Sequence, residues 1–493
     1  MLTRREFIKL GLLGGASLFA PTLPAGAQTV PRPLPIPRTL SPIQSDSTTD
    51  YFLLTMKQAQ VEILPGVGTT IWGYDGEFPG PTIRARSGRN VVVRQTNELP
   101  ERTSVHLHGG HVAPDSDGHP TDLIPQGGSK DYLYPNSQDA CTLWYHDHAM
   151  DATAPHVYRG LAGMYIIEDD FEKDLPLPKG DYDVPLVIQD RSFNSDGSLN
   201  YTLTSQGMMG GMGGMMGGMG GMMGGMGGGM MGGMMGDRVF LGNTVLVNGA
   251  VQPYLEVATR RYRFRLLNGS NAREYSLALD SGKPFVQVGT EGGLLPAPVN
   301  RSSILLAPGE RVDVVMDFSP YEPGESVVLL NRLGAGPLRA VMRFDVVRRE
   351  ADESSIPGTL RPIQRLSPGS ASAVRRFTLM QGPNGAWGMN GAPFDPARID
   401  ARPRLGETEV WEFFNMSMMA HPMHIHDVKW QVLDTNGLPP SPGEAGWKDT
   451  FRVPPMGRVR AIARFTDYAG PYVFHCHILE HEDRGLMGQF EVV

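Results

Sequence analysis

Near the end of the chain stand His475-Cys476-His477, then His481, then Leu486-Met487. Neighbouring side chains of an extended strand point to opposite faces, so Cys476 looks one way and its two flanking histidines the other. One short segment can thereby touch two metal sites. A soft thiolate with two imidazoles suits an electron-transfer copper, and His481, five residues beyond Cys476, can supply one of them. The paired histidines behind it need partners. Three further His-x-His pairs are present, His106/His108, His146/His148 and His424/His426, each reading as a strand with two imidazoles on one face. Random placement of 13 histidines in 493 residues gives about 0.3 such pairs, so the observed set points to metal. His421 and His481 join them. His111, His119 and His156 are left over in stretches rich in Pro, Asp and Gly, and are expected to be solvated loop residues.

Taken together, His106-Leu-His108-Gly, Trp144-Tyr-His146-Asp-His148, His421-Pro-Met-His424-Ile-His426 and His475-Cys476-His477-Ile-Leu-Glu-His481 resemble the motifs of three-domain multicopper oxidases of the bacterial laccase and cuprous oxidase group. The resemblance runs from about Tyr51 to Val493. It implies an all-β fold of three cupredoxin-like Greek-key β-sandwiches and four copper ions. A type 1 copper would sit on His421, Cys476 and His481, and a type 2 copper on His106 and His424. One type 3 copper would take His108, His146 and His477, the other His148, His426 and His475. The implied activity couples four one-electron oxidations to the reduction of dioxygen to two waters. By the same resemblance Asp117 and Glu482 occupy the places of carboxylates that serve proton supply.

Two donors fit this frame. Cu(I) is the first: in the cuprous oxidases a Met two residues before the type 1 His helps to receive the ion, and Met419 matches, although Ser417 stands where those enzymes carry an acid. Phenols and aromatic amines are the second. Relatives with a weak thioether ligand carry Met ten residues after the Cys, and here that position is Leu486, with Met487 one further on. A copper without axial sulfur has a raised potential, which favours phenols. A third, non-enzymatic reading is a copper-buffering protein or a structural relative that has lost its copper; loss of ligands would mark the structural relative, and none is lost here.

The rest of the chain must position these groups. Thr3-Arg4-Arg5-Glu6-Phe7-Ile8-Lys9, an apolar run from Leu10 to Ala20 and Ala25-Gly26-Ala27 read as a twin-arginine export signal, residues 1–27. The apolar run is too short to span a bilayer, so a soluble, monomeric protein outside the cytoplasm, in the periplasm or otherwise exported, is expected. With two cysteines there is no disulfide framework, and Cys141 reads as a small buried hydrophobe. A net charge of −8 argues against nucleic acid as a partner. Short β-rich runs punctuated by Gly and Pro divide into domains at 45–175, 176–350 and 373–493, with a linker at 351–372. An internal repeat supports three units. His106 and His108 follow Asn97 by nine and eleven residues, and His424 and His426 follow Asn415 at the same offsets. After Asn268 those offsets land on Leu277 and Leu279. The first and third domains therefore carry ligands where the middle one carries core residues, and the cluster is expected between them.

Residues 207–236, inserted in the middle domain, consist of 13 Met and 17 Gly. Glycine gives such a stretch great backbone freedom and nothing to bury, so a loosely folded loop is expected. Thioethers select Cu(I), which makes the tract a candidate collector of that ion.

Overall fold

The computed structural model describes residues 32–206, 237–382 and 385–493. The expected signal, residues 1–27, and the methionine tract, residues 207–236, lie outside the described residues. No helix among the described residues is long and apolar enough to cross a membrane.

Three β-sandwiches follow one another along the chain, each around its own apolar core. All three share a signature that a simple hairpin chain cannot produce. An early strand pairs in parallel with a later one: Thr49–Glu62 with Asn90–Asn97, Asp183–Arg191 with Arg261–Asn268, and Ala373–Gln381 with Thr408–Asn415. Parallel neighbours require a crossover, and here the crossover carries the chain to the opposite sheet and back, the connectivity of a cupredoxin-like Greek key. Alternation dictates the faces. Asn90–Asn97 buries every second residue, with Val91 and Val93 packed inside.

The histidine motifs lie on the smaller sheets of the first and third sandwiches. Val105–His108 pairs antiparallel with Cys141–Asp147, which sets His106 opposite His146. His421–Ile425 pairs with Gly470–Cys476, which sets His424 opposite His475 and Met423 opposite Cys476. These strands are buried throughout, apart from Gly470 and Pro471 at the start of one, unlike the half-solvated strands of the outer sheets. The two ligand sheets face each other, and the middle sandwich closes the space beside them.

Candidate metal centres

The strand Gly470–Cys476 alternates as its sequence requires. Cys476 belongs to the apolar core of the third sandwich with Met423, Phe474 and Leu486, whereas His475 and His477 point into the gap between sandwiches. On the Cys476 side, His421 Nδ1 lies 3.3 Å from Sγ, His481 Nδ1 lies 3.8 Å from it, and the two nitrogens are 3.3 Å apart. One sulfur and two imidazole nitrogens thus form a small, fully buried triangle, the donor set of a blue copper site. The Ile478 amide donates to the sulfur at 3.4 Å. Trp387 covers the site, its ring centroid 4.7 Å from that of His421 and 4.5 Å from that of His481.

Register separates Leu486 from Met487. Met487 is the cross-strand partner of His475, so its side chain shares the His475 face and turns away from Cys476. Leu486, whose carbonyl accepts from the Cys476 amide at 3.0 Å, is buried in the same core as Cys476.

On the opposite face eight buried imidazoles converge. Their nitrogens group as His108/His146/His477, as His148/His426/His475, and as His106/His424/His426. The first two sets are the two type 3 sets implied by the sequence motifs, and the third holds the implied type 2 pair, whose Nε2 atoms lie 3.2 Å apart. Burial depresses the basicity of His108, His146, His148, His426 and His477 well below the ordinary imidazole range, and that of His424 to about 4. Neutral imidazole is the form that binds metal. His108 Nδ1, His146 Nε2 and both His477 nitrogens are buried without a hydrogen-bond partner, a costly arrangement that metal ions between the rings would satisfy. The residues present therefore fit copper at both places.

Asp117 and Glu482 are brought to the cluster. Asp117 accepts from His426 Nδ1 through Oδ2 at 2.8 Å, and its carbonyl accepts from His106 Nδ1 at 2.6 Å. Gly118, at φ +76°, permits this approach, since a Cβ there would stand 2.1 Å from the Val105 carbonyl oxygen. Glu482 Oε2 lies 2.9 Å from His475 Nδ1 and Oε1 lies 3.7 Å from His148 Nδ1. Burial works to raise the Glu482 carboxyl, and the His475 and His148 rings outweigh it, holding it below the usual carboxylate range.

The leftover histidines differ from expectation. His156 is fully buried on the helix Thr153–Arg159, with Nδ1 2.9 Å from Asp147 Oδ1 and Nε2 3.1 Å from Glu101 Oε2. It is an ion-pair partner behind the end of the strand Cys141–Asp147 rather than a solvated ring. His111 is also structural, linking Asp427 at 2.9 Å and Asp467 at 2.8 Å across the first and third sandwiches. His119 is half-buried and reaches Gln489 at 2.9 Å. Cys141 is buried as expected, and burial pushes its thiol up to about 11.

Met419 is half-buried against the core of the third sandwich, and its carbonyl accepts from Asn415 Nδ2 at 2.6 Å. The exposed thioethers near His421 are those of Met416, Met418 and Met456, and the Met456 amide donates to the Ser417 carbonyl at 3.0 Å. Ser417 Oγ lies 2.8 Å from His421 Nε2. Trp387, Arg311 and Asp449 are neighbours of the centres that the motifs do not reveal.

Residues 55–172 and 369–493 match family models described as multicopper oxidase. A laccase of Bacillus subtilis strain 168 is 37% identical over 524 residues, covering 93% of this chain and 97% of that protein. A solved laccase of Pediococcus acidilactici superposes with a TM-score of 0.83 at 33% identity, over 95% of each chain. The McoA multicopper oxidase of Aquifex aeolicus does so with a TM-score of 0.81 at 32% identity, over 94% of this chain and 100% of that one.

Proposed function

The chain belongs to the multicopper oxidase family and is an oxidoreductase of that kind; we propose that it is an exported, monomeric enzyme that oxidises Cu(I) in the service of copper tolerance. In this reading it holds four coppers, the type 1 ion on His421, Cys476 and His481 and the other three among the eight converging histidines. Bound there, copper would supply one-electron storage beside Cys476 and the reduction of dioxygen to two waters at the cluster. The protein's part is placement. Cys476 is joined through the backbone to His475 and His477, so a short covalent path links the two centres. Burial lowers the basicity of His108, His146, His148, His424, His426 and His477, which favours the neutral, metal-binding form of those rings. Asp117 accepts from His426 Nδ1, and Glu482 Oε2 stands 2.9 Å from His475 Nδ1, so both carboxylates lie where they can pass protons inward.

One observation carries the Cu(I) reading: both ends of the methionine tract are tied beside the Cys476 site. Thr204–Gln206 pairs antiparallel with Asp237–Val239. Val239 packs in the same core as Cys476, and Tyr201 donates to Glu480, next to His481, at 2.8 Å. A thioether-rich segment anchored there raises the local concentration of a soft ion at the electron entry. Leu486 supports the second reading, a laccase acting on phenols and aromatic amines, because a site without axial sulfur is the stronger oxidant.

The two readings part in kinetics. Gln206 and Asp237 are cross-strand partners, so residues 207–236 can be replaced by a two-residue Asn-Gly turn without disturbing either strand. The replacement is expected to lower kcat/KM for Cu(I) while leaving that for a small phenol unchanged or improved. An unchanged ratio of the two constants would refute the collector role and leave the laccase reading in front.

A further inference from the structure

Arg311 comes from the middle sandwich, at the start of the strand Arg311–Asp317, and is fully buried. Its guanidinium grips Asp449 of the third sandwich as a fork, Nη1 to Oδ1 at 2.8 Å and Nη2 to Oδ2 at 2.5 Å. Its Nε donates to the Thr142 carbonyl of the first sandwich at 2.9 Å. One side chain thus touches all three sandwiches. Asp449 in turn faces a cluster histidine: Oδ1 lies 3.0 Å from His108 Nε2. Thr450 Oγ1, which donates to that same oxygen at 2.8 Å, lies 2.9 Å from the same nitrogen.

The backbone is built around this pair. Gly109, directly after His108, has φ +84°, and a Cβ there would stand 2.4 Å from Asp449 Oδ2 and 2.6 Å from Arg311 Nη2. Gly309, two residues before Arg311, also has positive φ, and a Cβ on it would lie 2.8 Å from the His477 ring. The contact reverses the sense of one ring. His106, His424 and His426 offer Nδ1 to the Asp117 carbonyl, the Asp449 carbonyl and the Asp117 carboxylate, which leaves Nε2 for the cluster. His108 instead gives Nε2 to a carboxylate, and its buried Nδ1 has no partner.

We propose that Arg311 and Asp449 are positioning residues of the cluster, fixing His108 so that Nδ1 joins the nitrogens of His146 and His477. The sandwich without ligands thereby sets the geometry of the metal site. This rests on the three-copper reading of the histidine cluster. Partners one step removed from a metal typically alter its affinity by about 10–100-fold, because they fix tautomer and ring orientation.

The test uses copper-loaded full chain, titrated with a chelator while copper content, the paramagnetic resonance spectrum and the thiolate absorption are followed. Asp449→Asn is expected to release cluster copper at about 10–100-fold lower chelator, with an altered resonance spectrum and an unchanged Cys476 absorption. Arg311→Lys should reproduce much of that loss, since an ammonium keeps the charge without the fork. Removing one member of a buried ion pair can unfold a protein, so Arg311→Met with Asp449→Leu removes both charges together. That double variant should keep the Cys476 absorption and lose cluster copper. Wild-type chelator midpoints and spectra in these variants would overturn the proposal. A wild-type chain that holds no copper beyond the one at Cys476 would overturn the cluster reading and this proposal with it.

Discussion

Asn97, Asn268 and Asn415 occupy the same place in the three sandwiches, and each does the same thing with its amide. Asn97 donates to the carbonyls of Glu101 and Ile124 and accepts from the Leu99 amide. Asn268 donates to those of Arg273 and Leu306 and accepts from the Ser270 amide. Asn415 donates to those of Met419 and Pro454 and accepts from the Ser417 amide. The turn that leads into the ligand strand is therefore the same device three times over. What differs is the cargo at nine and eleven residues further on: two imidazoles in the first and third sandwiches, Leu277 and Leu279 in the middle one, all buried. The frame does not require metal. It accepts either a pair of imidazoles or a pair of leucines, so the capacity to hold metal lies in a few side chains laid on an architecture that the middle sandwich builds without them.

That contrast can be broken most severely by removing the one ligand that has no counterpart elsewhere. Cys476→Ser is expected to abolish both the intense blue absorption and substrate oxidation while leaving the circular dichroism of the chain intact. A blue, active variant would remove Cys476 from the centre. Next in size, His424→Leu with His426→Leu gives the third sandwich the residues of the middle one. Oxidase activity should disappear and copper content fall while the Cys476 absorption survives, and the metal-free protein should melt no earlier than the parent, since buried leucines carry no polar atoms to desolvate. A large drop in its melting temperature would show that the imidazoles support the frame itself.

A smaller change sharpens the same comparison within the third sandwich. Leu486→Met should lower the potential of the Cys476 site, and a fall of about 59 mV already shifts a one-electron equilibrium tenfold, slowing the oxidation of high-potential phenols. Redox titration reads this directly. Met487→Leu serves as the control, because Met487 shares the face of His475. The smallest effect concerns the seam between the first and third sandwiches. The Asp427 carboxylate outweighs burial and raises His111 to about 8. Its folded pKa exceeds its unfolded one, so the stabilisation fades as the pH rises through 8; burial raises the Asp427 carboxyl to about 6, so the pair also weakens as the pH falls through 6. His111→Gln should therefore cost about 1 kcal/mol at pH 7 and much less at pH 9, measured by denaturant titration.

The candidate ligands could be picked out in the sequence because His-x-His and His-Cys-His are local patterns, and period-two alternation converts local spacing into a shared face. The three-sandwich fold was legible for a related reason, since the Asn-to-ligand offsets repeat. Arg311 and Asp449 were not. Each is one charged residue among 96, and the contacts that matter join residues 138 and 341 positions apart. No spacing rule encodes such a meeting. His156 was misread because a short helix after Asp151-Ala152 looks like a loop in sequence, and only the packed fold shows Asp147 and Glu101 on either side of the ring. The facing of Leu486 and Met487 lay between: strand alternation puts them on opposite faces, and the pairing of Met487 with His475 fixes which face each takes.

The cluster also has a polymer-physical side. His148 and His475 meet across 327 residues of sequence, and His106 and His424 across 318. Neither described cysteine forms a disulfide. Ions held by both ends of so long a loop act on the unfolded chain as a reversible cross-link: closing even a 100-residue loop is worth about 4.7 kcal/mol in the chain-entropy model, and the gain grows only logarithmically beyond that. Copper supply would then govern not just turnover but the lifetime of the folded chain, and a copper-starved population should be the one that proteases cut first.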